Sequence, residues 1–227
     1  MFSLAYKSGR IPSEEAKSLY ALYTRIKETI RHAKTRGITL FNHITKLYEN
    51  ILERKLKVLD EPQMGVWQHG FRPGKITTDM IFSKRRIMDK HWEFNQPLYV
   101  AVLDLEKAFD RVPRPSLWRM LERYDIPYHL RRAIISTYAT SESAVSSGTG
   151  ENLWFETTTG VSQGSILSPL LFIMYLDCVI KEVATEQPST SVLAYADDIT
   201  QTRVKGTCNN ILKCGTDVLT NMGLSST

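Results

Sequence analysis

The stretch Ser191–Thr202 reads SVLAYADDITQT, and it places two adjacent carboxylates between two apolar, β-branched runs. A strand that stops at two aspartates and resumes as a second strand predicts a tight β-hairpin with Asp197 and Asp198 at its tip. Adjacent acids repel each other, and a divalent cation shared with a further ligand relieves that repulsion. A solvated turn is the simpler alternative, because Asp is a common turn former.

A third carboxylate follows the apolar run 98–103, which reads LYVAVL. A continuous apolar run predicts a strand that is buried on both faces. The run ends at Asp104, and an acid at the end of a buried strand is costly unless it is paired or ligates a metal. If the two strands lie side by side, Asp104, Asp197 and Asp198 surround two hard cations, which is the ligand set of two-metal phosphoryl transfer.

Three sequence blocks, taken together, point to a known family: 103–110 (LDLEKAFD), 163–170 (QGSILSPL) and 195–198 (YADD). Their order and spacing resemble the reverse transcriptase of non-LTR (LINE-like) retrotransposons, and the similarity extends from about Gly37 to Thr202. The resemblance implies an α+β right-hand polymerase fold with fingers and palm, in which an antiparallel palm sheet packs on helices. Residues 1–97 would be a partly degenerate fingers-like region. Residues 98–227 would be a palm truncated after the YADD hairpin, with the thumb absent.

The same resemblance implies an RNA-directed DNA polymerase that uses an RNA template, a DNA primer and dNTPs. Asp104, Asp197 and Asp198 would be the catalytic residues and would hold two Mg²⁺ ions, for which Mn²⁺ is a substitute. Phe109 would lie under the sugar of the incoming nucleotide and exclude a 2′-hydroxyl, with core packing as the alternative. The full set of nucleotide-binding residues that the resemblance implies is Arg72, Phe109, Gln163, Gly164 and Tyr195.

The charge distribution favours a polyanionic partner. The net charge is +5, but residues 1–140 carry 25 Lys and Arg against 15 Asp and Glu, whereas residues 141–200 carry one basic residue against eight acids. A basic half beside an acidic half suits a polyanion held near bound cations, and a solvated surface is the alternative for any single residue. The glycine-rich loop 68–75 permits close approach to a phosphate. The candidate nucleic-acid contacts are Arg36, Lys75, Lys84, Arg85 and Arg86.

Other classes of protein are disfavoured by composition. Hydrophobic and charged contents of 42% and 23% are ordinary for a globular protein. The sequence contains no run of about 18 apolar residues, so it predicts no membrane span. The N-terminus does not resemble a signal peptide. Three cysteines without ligand-like spacing predict no structural zinc and a reducing compartment, cytoplasmic or nuclear rather than secreted. The sequence specifies no protein partner.

Local patterns predict the remaining elements. Apolar periodicity and capping residues predict helices over 13–34, 44–56, from Thr77 or Thr78 to about Lys90, from Pro115, over 127–140, from Ser168 and Pro169 to Val183, and weakly over 211–222. A short strand or a turn is expected over 37–41, and a strand over 154–159. The Ser/Gly-rich segment 141–150 is expected to be a mobile loop.

Two other functions stay open from the sequence. A catalytically inactive remnant would bind nucleic acid through the basic half without synthesising DNA. A palm polymerase that copies RNA into RNA would share the acids, but Phe109 and the YADD block argue against it, and selectivity for the sugar would decide.

Overall fold

The computed structural model describes residue 6 and residues 18–24, 35–105, 107–139, 142–146, 152–186 and 190–203. Its strands are β1 (Ser18–Thr24), β2 (Thr35–Leu40), β3 (Tyr99–Asp104), β4 (Glu142–Ser146), β5 (Asn152–Glu156), β6 (Thr190–Tyr195) and β7 (Asp198–Arg203). Its helices are α1 (His43–Asp60), α2 (Thr77–Glu93), α3 (Ala108–Arg111), α4 (Arg114–Arg123), α5 (Tyr128–Tyr138) and α6 (Ser168–Glu186).

A three-stranded antiparallel sheet in the order β3-β7-β6 carries the acids. Strands β6 and β7 form the predicted hairpin, in which Tyr195 lies opposite Asp198. Strand β3 pairs with β7 so that Asp104 lies opposite the same Asp198. Both the hairpin and the side-by-side placement of the two acid-bearing strands are therefore confirmed.

One face of this sheet packs on the helices and forms the hydrophobic core. Ala101, Leu103, Ala194 and Ile199 are buried on that face. Helix α6 is apolar on all sides over residues 169–176, and such a segment is expected to lie in a core rather than on a surface. Its residues 170–180 are all buried, and α1, α4 and the strand β6 contact it.

The opposite face of β3 is open, so the expectation of a strand buried on both faces is wrong. Val102 is 67% exposed whereas its neighbour Leu103 is 3% exposed. Side chains alternate between the two faces of a strand, so Val100, Val102 and Asp104 share the open face. The apolar run indicated burial, but β3 is an edge strand whose open face is the one that bears the acid.

A second sheet, in the order β2-β1-β4-β5, corrects two other predictions. Residues 18–24, expected within a helix, form β1, which is antiparallel to β2 and parallel to β4. Residues 142–146, expected in a mobile loop, form β4. Helix propensity is a weak preference that long-range pairing overrides. The rest of the predicted helix over 13–34 and the weak helix over 211–222 lie outside the described residues.

Within the described ranges, no helix is long and apolar enough to cross a membrane. Cys178 is a buried free thiol. Cys208 and Cys214 lie outside the described residues.

Candidate active site

The acids lie at one end of the three-stranded sheet. Ala196 and Asp197 form the turn between β6 and β7, and Ala196 has a left-handed backbone conformation with φ of 54°. This conformation costs about 1–2 kcal/mol for a residue with a Cβ atom. Asp104 and Asp198 are exposed and Asp197 is half-buried. The backbone therefore brings the three predicted carboxylates, together with Tyr195, to the same end of the sheet.

The donor chemistry of this end of the sheet fits a magnesium ion. Carboxylate oxygens are the hard ligands that Mg²⁺ prefers, and Mg²⁺ typically takes only one or two of them from the protein. Among the described residues, no three Asp, Glu, His or Cys side chains converge closely enough to enclose an ion. The acids thus form a row of hard donors along the sheet end rather than a closed metal cage.

Residues 65–72, named here the brace loop, lie against the edge of β6. The amide of His69 donates to the carbonyl of Ala194 at 2.8 Å, and the amide of Ala194 donates to the carbonyl of Trp67 at 2.8 Å. These bonds form a parallel bridge between Gln68 and Ala194. The brace loop therefore continues the sheet beyond β6 and supports the hairpin that carries the acids.

Arg72 holds the brace loop together. Its side chain is 8% exposed, and Nε and Nη2 donate to Glu61 Oε1 at 3.2 and 2.7 Å. Nη1 donates to the carbonyls of Gly65 at 2.6 Å and Gln68 at 3.1 Å. The geometry gives Arg72 a structural role, and its contact with a nucleotide stays a prediction.

The root of the brace loop is anchored to α6 by the buried Asp177. Its Oδ1 accepts from the amide of Gly65 at 3.0 Å and from Trp67 Nε1 at 2.7 Å. Its Oδ2 accepts a short hydrogen bond from the Tyr124 hydroxyl and pairs with Lys181 Nζ at 2.8 Å. Burial, and then the hydrogen bond to Asp177, raise the pKa of Tyr124. Four donors therefore satisfy this buried carboxylate and fix the start of the brace loop.

Three of the five predicted nucleotide-contacting residues, Phe109, Gln163 and Gly164, lie on two neighbouring segments. Phe109 is half-buried and stacks on Phe172, with ring centroids 4.7 Å apart. Its carbonyl accepts from the amide of Val161 at 2.8 Å, and Gln163 Nε2 donates to Asp110 Oδ1 at 3.1 Å. The segment 161–164 therefore runs beside α3, which carries Phe109.

Gly164 and Gln163 also contact β2. The Thr39 amide donates to the carbonyl of Gln163 at 2.6 Å. Gly164 has a φ of 118°, and a Cβ atom there would lie 2.4 Å from the carbonyl oxygen of Thr39. Only glycine fits this position. The close packing of the turn on β2 therefore explains why residue 164 is a glycine.

The predicted nucleic-acid contacts are dispersed. Lys84, Arg85 and Arg86 lie on α2, where Arg85 and Arg86 are exposed and Lys84 is half-buried. Lys75 is half-buried after the brace loop. Arg36 lies on β2, and its side chain is outside the part of the chain that the structure describes.

Sequence reasoning missed two buried residues that support the site. Gln68 belongs to the glycine-rich loop 68–75, and its side chain contacts the hairpin tip. Glu49 on α1 accepts from Ser165 Oγ and from the amide of Ile166, both at 2.9 Å. These contacts span more than a hundred residues of chain, so no local signal could have indicated them.

An acid-bearing hairpin beside a strand that ends in a further acid, backed by helices on one face, defines the palm of a right-hand polynucleotide polymerase. Residues 26–225 match the model of the reverse transcriptase (RNA-dependent DNA polymerase) family, and the chain belongs to that family. The retrotransposon resemblance seen in the sequence is confirmed.

Two relatives and one solved structure illustrate the similarity. The chain is 32% identical over 108 residues to the Pol polyprotein of type-1 retrotransposable element R2 from Nasonia vitripennis, covering 45% of this chain and 10% of that protein. It is 23% identical over 194 residues to the probable RNA-directed DNA polymerase from transposon BS of Drosophila melanogaster, covering 82% and 21%. A telomerase from Candida tropicalis, in complex with a fragment of telomeric RNA, shares the fold with a TM-score of 0.71 at 12% identity, covering 100% of this chain and 42% of that one.

Proposed function

We propose that this chain catalyses RNA-directed DNA synthesis, in which a primer 3′-hydroxyl attacks the α-phosphate of a dNTP and pyrophosphate leaves. The observation that carries the proposal is the register of the three-stranded sheet, which sets Asp104 opposite Asp198 beside the turn at Asp197. The family match supports the reaction class. The division into fingers over 1–97 and palm over 98–227 is part of the proposal. Tyr48, Leu52 and Leu56 of α1 share one hydrophobic core with residues of the proposed palm.

Asp104, Asp197 and Asp198 are the residues that would hold divalent cations, with Mg²⁺ as the physiological ion and Mn²⁺ as a substitute. Bound metal would lower the pKa of the primer hydroxyl and neutralise charge on the triphosphate. The exposure of Asp104 and Asp198 supports this role, because a nucleotide has to reach them.

The other residues of the site would position the substrates. Phe109, which stacks on Phe172, would restrict the sugar of the incoming nucleotide, and the neighbouring turn at Gln163 and Gly164 would contact the template and the nucleotide. Tyr195 ends the strand that leads to the acids. Arg85 and Arg86 on α2 present exposed charge for the phosphates of RNA template and DNA primer.

Primer extension on an RNA template tests the proposal. Purified protein with Mg²⁺ and dNTPs is expected to extend a DNA primer, and Asp197→Asn is expected to reduce the rate by at least about a thousandfold, because catalysis here is largely electrostatic. Asp125→Asn is the matched control, since Asp125 is exposed in the turn between α4 and α5 and its φ of 50° suits asparagine.

Three results would contradict the proposal. Extension by folded Asp197→Asn at the wild-type rate would remove the acid from the mechanism. Preference for rNTPs over dNTPs would indicate an RNA polymerase. Absence of extension together with salt-sensitive RNA binding would indicate a binding remnant.

A further inference from the structure

One side chain of the brace loop forms a hydrogen bond with the hairpin tip. Gln68 is 0% exposed, and its Oε1 accepts hydrogen bonds from the amide of Gly70 at 2.8 Å and from the amide of Ala196 at 3.1 Å. Ala196 directly precedes Asp197. A single amide oxygen therefore links the loop to the turn that carries the acids.

The amide of Ala196 needs this partner. Ala196 lies beyond the last residue of β6, and it is buried with a left-handed backbone. A buried amide without a hydrogen bond costs about 1–3 kcal/mol, and the left-handed conformation of alanine adds to that cost. Without Gln68 the turn would be expected to relax to a backbone that exposes this amide, and the relaxation would reorient Asp197.

The loop approaches the tip more closely than any residue with a side chain would allow. A Cβ atom on Gly70 would lie 2.3 Å from the amide nitrogen of Ala196. The loop is fixed independently at its root by Asp177, and across its middle by the four hydrogen bonds of Arg72. The Gln68 oxygen is consequently held in place by the anchors at Asp177 and Glu61, in addition to the pairing of the loop with β6.

We propose that Gln68 is a positioning residue, which fixes the amide of Ala196 and so sets the orientation of the acids at the hairpin tip. The inference rests on the proposed function, since it concerns the acids assigned there. Gln68 Nε2 has no hydrogen-bond partner among the described residues, so the oxygen alone carries the link.

Three variants separate the role of the oxygen from that of bulk. Gln68→Met keeps the length of the side chain and removes the acceptor. Gln68→Glu keeps an acceptor oxygen and should rescue the link. Gln63→Met is the matched control, because Gln63 precedes the brace loop and its Nε2 donates to the carbonyls of Leu59 and Tyr124, away from the hairpin.

Hydrogen exchange at the Ala196 amide and Mn²⁺ binding are the primary readouts, because neither requires turnover. Gln68→Met is expected to speed exchange at Ala196 by about tenfold and to weaken Mn²⁺ binding severalfold, since one buried hydrogen bond is lost. Gln68→Glu is expected to keep slow exchange at Ala196, and Gln63→Met is expected to stay near wild type in both readouts. In single-turnover extension, Gln68→Met is expected to lower the maximal rate with little change in the dNTP concentration for half-maximal rate.

Wild-type exchange at Ala196 in folded Gln68→Met would overturn the inference. If Gln68→Met does not fold, Gln68→Asn gives the same comparison, because it keeps the amide and withdraws its oxygen by one methylene. A wild-type chain that extends no primer counts against the proposed function, whereas the exchange and Mn²⁺ measurements still decide on Gln68.

Discussion

Asp60, at the C-terminal end of α1, is a buried carboxylic acid whose surroundings disfavour ionisation. It is 1% exposed, and neither carboxylate oxygen has a hydrogen-bond partner among the described residues. The pKa of Asp60 is raised to about 7, mainly by burial and then by repulsion from Asp177 and Glu61, whereas Arg72 and Lys181 oppose the rise. The folded protein therefore keeps a proton that the unfolded chain releases near pH 4.

This difference predicts how stability depends on pH. Because the folded state binds more protons between about pH 4 and pH 7, the free energy of unfolding falls as pH rises through that interval. Asp60→Asn mimics the protonated acid, so at pH 8 it is expected to be more stable than wild type by about 1–3 kcal/mol, with little difference at pH 5. Urea denaturation at the two pH values measures this.

Asp89→Asn is the control for Asp60→Asn, since Asp89 is exposed on α2. It is expected to leave the free energy of unfolding unchanged at both pH values. An Asp60→Asn protein that is no more stable than wild type at pH 8 would show that Asp60 is ionised there at no cost.

Phe109 provides a second prediction at the residue scale, about sugar selectivity. Phe109→Val shortens the side chain proposed to restrict the 2′-position, so incorporation of rNTPs relative to dNTPs is expected to rise about tenfold. Loss of the stacking on Phe172 is expected to cost about 1–3 kcal/mol of stability. Competition assays with both nucleotides measure the ratio, and an unchanged ratio would reduce Phe109 to a packing residue. Phe82→Val, at an exposed site on α2, is the matched control.

At the scale of elements, Glu49 connects α1 to the turn that holds Gln163 and Gly164. Burial raises the pKa of Glu49, and its hydrogen bonds from Ile166 and Ser165 oppose that rise. Glu49→Ala leaves a buried hydroxyl and a backbone amide without an acceptor, so a loss of about 2–4 kcal/mol in the free energy of unfolding is expected. Glu53→Ala, one turn along α1, removes only an ion pair with Lys57 and should cost about 0.5 kcal/mol. Equal losses in the two variants would contradict the proposed link.

Elements were predictable from the sequence where short-range chemistry determines them. The hairpin at Asp197 and the start of α6 at Ser168 follow from alternation, turn residues and proline position. Strands β1 and β4 were predicted wrongly, and the pairing that joins them spans more than a hundred residues, which no local pattern indicates. For the same reason the acids of the candidate site could be named from the sequence, but Gln68 and Glu49 could not.

At the scale of the whole molecule, hydrogen bonds connect the core to the candidate site. Asp177 on the buried α6 fixes the root of the brace loop, the loop supports the hairpin through Gln68, and Glu49 on α1 fixes the turn before α6. Arg72 belongs to this framework, although its charge and the neighbouring glycines indicated a phosphate contact from sequence. A basic side chain in a glycine-rich loop does not by itself reveal whether its hydrogen bonds are used internally.

The exposed charges on α2 are a better candidate for the polyanion than Arg72, and salt dependence tests them. Changing Lys84, Arg85 and Arg86 together to Gln is expected to weaken binding of single-stranded RNA and to reduce the slope of log affinity against log salt by about 1–2, because fewer counterions are released. Fluorescence anisotropy between about 50 and 200 mM salt measures both. The control changes three basic residues on α4 and α5 to Gln: Arg119, Arg123 and Arg132. The control removes the same net charge as the α2 variant. An equal reduction of the salt-dependence slope in both variants would show that only overall charge matters. A reduction confined to the α2 variant would place the nucleic acid along that helix.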